Sequence, residues 1–238
     1  MSRVLPPPLL RVRLADVAFL HWPVPAATAR ALVPPSLAPD PYDGVCYVGL
    51  VLLQLRGAGP LGVPVPWLGS FGQVNVRLYV RDRAGRRGVV FRAMDAGRLL
   101  PAAAARAAGL PYAWARVRIE RRGADVRYDV RRRWPTAGDA AARVTVRVGR
   151  AITAPDLLQT WLTEVPALFR ARRAGVIRLP LVHPPWPLHR AAATELDAGL
   201  IAAVGLPHPC GPPASVLWSP GVTARFARPR LDSAGVRR

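Results

Sequence analysis

The 238-residue sequence contains no lysine. A lysine Schiff base, which activates ketones through a side-chain amine, is therefore excluded anywhere in the chain. Acids are scarce as well: Asp and Glu together number 14, against 34 basic residues that are all arginine. The only glutamates are Glu120, Glu164 and Glu195. The first alternates with strand arginines and the other two fall in helix-like segments, so none stands out as a catalytic acid. Cysteine is limited to Cys46 and Cys210. Two cysteines make no disulfide framework and point to a reduced, cytoplasmic setting. Long apolar runs are missing: Val45 to Leu53 is broken by Gly49 and is too short to cross a bilayer. The opening Met1-Ser2-Arg3, followed by Pro6-Pro7-Pro8, lacks the apolar core of a secretory signal. The four histidines (His21, His183, His189, His208) and two cysteines show no HxxxH, HExxH or CxxC spacing. Neither a Gly-rich phosphate loop nor a Gly-x-Ser-x-Gly elbow is present, so no metal and no cofactor is expected.

What is abundant is positive charge. A net charge of +20 invites a nucleic-acid reading, since arginine neutralises phosphates. Two features argue against it. Arg, Ala, Gly and Pro, all encoded by GC-rich codons, are enriched together, so coding bias accounts for much of the arginine. The arginines also alternate with apolar residues, as in Arg116-Val117-Arg118-Ile119 and Arg143-Val144-Thr145-Val146-Arg147. Period two places them on one solvated strand face. Only Arg131-Arg132-Arg133, beside Trp134, forms a local run that would suit a phosphate.

The chain reads as mostly β. Strand patterns cover about residues 10–20, 45–56, 71–82, 88–95, 112–122, 125–133, 143–149, 176–182 and 214–227. Hairpin turns are legible at Arg83 to Gly88 and at Arg122-Gly123-Ala124. Helices are expected at Pro25 to Leu32, at Pro101 to Ala108, from the opening Thr153-Ala154-Pro155-Asp156 to Leu162 or on past Pro166, and at Thr194 to Val204 with Thr194 as N-cap. These features give an α+β class, mostly antiparallel β, with a closed or nearly closed sheet. One domain is expected over residues 1–228, followed by a flexible tail at 229–238.

The segment Phe71 to Val80 is the most informative. Strict alternation puts Gln73, Asn75, Arg77 and Tyr79 on one face and Val74, Val76, Leu78 and Val80 on the other. An exposed strand looks the same. Two amides, a guanidinium and a phenol are nonetheless directional groups suited to a ligand, and Arg77 can hold a carboxylate through two bonds. Two His–Trp pieces sit at strand ends: His21-Trp22, and His183 with Trp186. A histidine there serves either as a packed structural residue or as a general acid or base. Asp95, at the end of an apolar strand, is the best-placed carboxylate, with a turn-forming role as its plainer reading.

Six pieces occur in order: Phe19-Leu20-His21-Trp22, Tyr42-Asp43-Gly44, Asn75-Val76-Arg77-x-Tyr79-Val80, Met94-Asp95-Ala96, Gly109-Leu110-Pro111-Tyr112 and His183-Pro184-Pro185-Trp186. Together they resemble the YqjF-like family, domain of unknown function 2071, in the acetoacetate-decarboxylase-like superfamily. The resemblance spans about residues 8 to 228. It implies a cone-shaped β-barrel with an internal pocket and a few flanking helices. In acetoacetate decarboxylase a Gly-Phe-Pro-Lys stretch carries the imine-forming lysine, and the most similar stretch here places Tyr112 at that position. The strand motif of the family usually carries an acid where this chain has Gln73, and an amide cannot serve as a general base.

The resulting expectation is a small-molecule enzyme acting on a carboxylated or polyketide-like substrate without an imine, by dehydration, cyclisation, isomerisation or lyase chemistry. Tyr112, Asp95, His21 and His183 would carry the acid–base steps. Gln73, Asn75, Arg77, Tyr79, Arg106, Trp22 and Trp186 would bind the substrate. The alternative is a non-catalytic binding protein using the same pocket, and the third reading is an arginine-driven nucleic-acid binder. The expected partner is an anionic small molecule, with no membrane; a homo-oligomer is compatible with all of this.

Overall fold

The computed structural model describes residues 9–135, 140–173, 175–209 and 211–233. The chain runs from β1 (Leu10–Val24) through α1 (Ala26–Leu32) and the short β2 (Ala38–Pro39). It continues into β3 (Cys46–Pro60), β4 (Phe71–Arg81) and β5 (Arg87–Ala96). Helix α2 (Leu99–Ala107) then precedes a meander of β6 (Tyr112–Arg122), β7 (Asp125–Trp134) and β8 (Ala141–Ala151). Next come α3 (Leu157–Thr163), β9 (Ala167–Arg172), β10 (Gly175–Val182) and β11 (His189–Asp197). The chain closes with α4 (Gly199–Ala202), β12 (Ser215–Phe226) and β13 (Arg230–Ser233).

All thirteen strands join one sheet, and the β4–β5 pairing closes nine of them into a barrel. The ring runs β4-β5-β6-β7-β8-β11-β12-β1-β3. It is antiparallel except where β5 meets β6, and outside the ring β5 also runs parallel to β9. The α+β class, mostly antiparallel with a closed sheet and a few flanking helices, expected from the sequence is therefore the one observed. The pairs β9–β5 and β10–β12 add a second, smaller closure that reuses β5, β4, β3, β1 and β12 as its wall.

That shared wall has two buried faces. Leu20, Leu50, Leu52, Val74, Val76 and Leu78 pack with Val126, Tyr128, Val144 and Val146 of the meander. The intervening residues Val17, Phe19, Val51 and Leu53 pack with Trp186 and Leu188. Burying each such side chain contributes roughly 1.5–3 kcal/mol before the entropy of ordering is subtracted. On the far side of the barrel only one face is buried. There Arg127 pairs with Asp129 along β7, while Arg143 pairs with Asp129 and Arg147 with Asp125 across neighbouring strands. Such exposed pairs contribute little each, and they mark a solvated face, as the alternating arginines predict.

Three expectations need correction. Thr194 to Asp197 is strand, not helix: Glu195, Leu196 and Asp197 lie opposite Thr145, Val144 and Arg143, and only Gly199–Ala202 is helical. The ladder with β8 supplies the long-range pairing that overrides helix propensity, with Glu195 reaching Arg127 on β7 at its exposed face. The tail is shorter than expected, because Arg230–Arg178 and Ser233–Gly175 bracket a β13–β10 pairing; residues 234–238 lie outside the described set. Third, β9 and residues 189–193 of β11 are strand where the sequence gives no expectation of one. Cys46 is a buried free thiol, and Cys210 lies outside the described residues. No helix among the described residues is long and apolar enough to cross a membrane.

Candidate functional site

The polar face of β4 is buried, not exposed. Gln73, Asn75 and Arg77 are 3%, 6% and 6% exposed, although alternation of this kind usually marks a solvated strand. The smaller closure covers them. Gly49, Val51 and Leu53 of β3 lie opposite Arg77, Asn75 and Gln73.

Arg77 anchors one end. Its Nη2 donates to the Leu162 carbonyl at 2.6 Å and to the Tyr79 hydroxyl at 3.0 Å. The Tyr79 hydroxyl donates to the same carbonyl at 2.6 Å and lies 2.8 Å from His21 Nε2. That carbonyl is available because it belongs to the last turn of α3, where intrahelical partners run out. The helix is fixed by a capping box, Asp156 accepting from the Gln159 amide and Gln159 accepting in return. With its proton on Leu162, Tyr79 must accept from His21, which assigns the hydrogen to His21 Nε2. Burial, reinforced by the Arg77 charge, holds the His21 pKa well below its ordinary value. Burial likewise raises the Tyr79 phenol against the opposing pull of Arg77. Both rings are therefore neutral structural supports. His21 sits behind Tyr79, and neither lines the cavity described below. The acid–base role expected for His21 and the ligand contact expected for Tyr79 are corrected accordingly.

Arg77 itself is a buried cation with no carboxylate within ion-pair distance among the described residues. Its Nε has no hydrogen-bond partner. A helix C-terminus offers only about half a negative charge, so the guanidinium is left incompletely compensated.

A second chain of hydrogen bonds crosses the same floor. The Tyr112 hydroxyl donates to Gln73 Oε1 at 3.2 Å, and Gln73 Nε2 donates to Asn75 Oδ1 at 2.7 Å. The direction of the chain leaves the Asn75 Nδ2 amide as its free donor end. Tyr112 is delivered by the end of α2. Gly109, at φ 77°, closes that helix in a Schellman turn, with Gly109 N–H bonded to Arg106 and Leu110 N–H to Ala105. Burial pushes the Tyr112 phenol up to about 12, with the Gln73 bond acting in the opposite sense. Arg106 donates to the Tyr112 carbonyl at 3.0 Å.

The loop after β10 supplies His183 and Trp186. His183 Nδ1 lies 2.8 Å from the Pro184 carbonyl and 3.8 Å from Glu164 Oε2. A carbonyl can only accept, so Nδ1 carries the hydrogen and Nε2 keeps the lone pair of the neutral ring. Trp186 is fixed by its indole N–H on the Thr163 carbonyl (3.2 Å) and meets Phe19 edge to face at 5.1 Å.

These side chains surround a cavity of about 900 Å³. Gln73, Asn75, Arg77, Arg106, Tyr112, His183 and Trp186 all line it. So do Arg92, Arg170 and Arg172, which sequence reasoning missed, and among the described residues no Asp or Glu does. Arg170 and Arg172 both donate to the Ala108 carbonyl at the end of α2.

A family model, described as an uncharacterized conserved protein and designated domain of unknown function 2071, matches residues 11–223. The chain belongs to this family. The uncharacterized protein YqjF of Bacillus subtilis (strain 168) is 32% identical over 189 residues, covering 78% of this chain and 77% of its own. Solved structures share the fold at low identity. An acetoacetate decarboxylase aligns with a TM-score of 0.67 at 11% identity, over 98% of this chain and 92% of its own. Acetoacetate decarboxylase from Legionella pneumophila gives 0.64 at 14%, over 98% and 92%. The enduracididine biosynthesis enzyme MppR in complex with pyruvate gives 0.62 at 16%, over 97% and 92%.

Within this family fold, two expected site residues stand apart from the cavity. Asp95 is fully buried and bonded to Arg132 through both oxygens, at 2.7 and 2.8 Å. Met94 faces the cavity and its neighbour Asp95 does not, as strand alternation requires. Trp22 belongs to the barrel core and donates to the Gly211 carbonyl at 3.3 Å. The same alternation separates it from His21.

Proposed function

We propose that this cavity binds a small carboxylated molecule and acts on it by acid–base chemistry that needs no imine. The observation that carries the reading is Arg77: a buried cation without a carboxylate partner, facing a cavity that no acid lines. A ligand carboxylate would supply the missing charge and accept from the Asn75 amide beside it. The pyruvate held by MppR is an anion of this kind. His183 is the group for proton abstraction, because its unprotonated Nε2 is free while Pro184 fixes Nδ1. Tyr112, neutral at physiological pH, is the hydrogen-bond donor for oxygen on which charge develops. A non-catalytic binding protein is the second reading, favoured by the absence of any lining carboxylate.

The test uses pyruvate, pyruvamide and methyl pyruvate as probes with the intact chain. Calorimetry is expected to show saturable binding of the acid alone, lost at least tenfold in Arg77→Met while Tyr112→Phe keeps it. Equal binding of the amide would overturn the carboxylate reading. Deuterium exchange into the pyruvate methyl group, followed by NMR in heavy water, separates the two functions. Exchange abolished in His183→Gln supports catalysis, whereas binding without exchange leaves a binding protein.

A further inference from the structure

We propose that the ligand is an amphipathic acid, with its carboxylate at Arg77 and an extended apolar body along the rest of the cavity. This rests on the carboxylate reading above and adds the class of molecule. Size is the first argument. A volume of about 900 Å³ lies near the upper end of ligand sites, which span roughly 300–1,000 Å³ and enclose drug-sized molecules. A three-carbon acid would occupy only a small part of it. Water filling the remainder would meet too few polar partners, and an empty apolar remainder forgoes dispersion contacts.

The distribution of polarity is the second argument. Side chains lining the floor change character along the strands. Arg77, Asn75 and Gln73 occupy successive rows opposite Gly49, Val51 and Leu53. Beyond Gln73 the lining turns apolar, with Leu55 opposite Leu14, then Val12, and then Leu10 opposite Phe226. From Gly49 to Leu55 alone the floor extends about 20 Å at about 3.3 Å per residue. The covering strand matches it with Ile177, Leu179 and Leu181. The other lining arginines do not interrupt this trough, because Arg170 and Arg172 are held on the end of α2, Arg106 on the Tyr112 carbonyl and Arg92 on the Leu32 carbonyl. One charged end and one long apolar end describe a fatty-acyl or reduced polyketide acid better than a compact polar one.

The experiment is a chain-length series of straight saturated carboxylates from two to fourteen carbons. Each is titrated below its micelle concentration, with the matching primary alcohols as controls. Affinity is expected to rise about fourfold per methylene until the trough is full, then level off. Alcohols are expected to be weaker by a constant factor. Leu10→Trp, which narrows the far end, should move the plateau to shorter acids. A flat series would overturn this inference while the carboxylate reading stands. Alcohols binding as tightly as acids, with the same slope, would overturn the carboxylate reading instead. No binding by any acid would overturn both.

Discussion

Tyr79 and His21 meet at 2.8 Å between phenol oxygen and Nε2, both sealed from solvent beyond the Arg77 end of the cavity floor. The contact works only while the imidazole is neutral. The unfolded chain takes up a proton at an ordinary pKa near 6.5, whereas the folded protein resists it. Stability from His21 is therefore full above about pH 6.5 and declines as the pH falls below it, since the unfolded state then binds more protons. Urea unfolding across about pH 5 to 8 should show this slope, and His21→Gln should flatten it. An unchanged slope in the variant would assign the acid sensitivity to another group.

Arg132 compensates Asp95 inside the protein, away from the cavity. Arg132→Met leaves a buried carboxylate alone and should cost about 3–5 kcal/mol, seen as a lower thermal midpoint. The double variant Asp95→Leu with Arg132→Met should recover most of that loss. Ligand affinity measured in the cold, where the single variant is still folded, should not change. A loss of affinity with intact structure would return Asp95 to the site.

Gly49 sits where a side chain would press on two site residues at once. A Cβ there would lie 3.0 Å from His21 Cδ2 and 3.2 Å from Arg77 Cγ. Gly49→Ala should therefore displace Arg77, costing about 1–3 kcal/mol of stability and weakening carboxylate binding. Ala substituted at Gly85, where nothing lies within 4 Å but φ is 76°, should cost stability through the backbone alone. Unaltered binding in Gly49→Ala would show that Arg77 tolerates the shift.

Tyr112 should ionise only at about 12. Tyr112→Phe should remove one late tyrosinate step from an alkaline absorbance titration and lower stability by about 0.5–1.5 kcal/mol. Any pH dependence of turnover near neutrality should survive in this variant, because the phenol does not titrate there. Its disappearance would give Tyr112 a proton-transfer role.

Much of this site was legible from period two alone. The alternation of Gln73, Asn75 and Arg77 named three floor residues correctly, since a strand has only two faces. What it could not give was burial, because β9 and β10 arrive from about a hundred residues later in the chain. The same rule, applied more strictly, would have separated His21 from Trp22 and Met94 from Asp95. Arg92, Arg170 and Arg172 carried no local signal distinguishing them from the solvated arginines of β6 to β8. The Thr194 segment failed for a related reason: its acids look like a helix N-terminus until Arg127 and Arg143 are known to face them.

The wall shared by the barrel and the smaller chamber ties two selective pressures to the same residues. Residues 74, 76 and 78 of β4 pack in the barrel core while 73, 75 and 77 line the cavity. A one-residue insertion or deletion in that strand would exchange the two sets. It would turn the polar groups into the core and the valines into the chamber. The chamber is therefore open to reshaping by single replacements along the trough or by remodelling β9, β10 and the end of α2, whereas the length of β4 is fixed by the core.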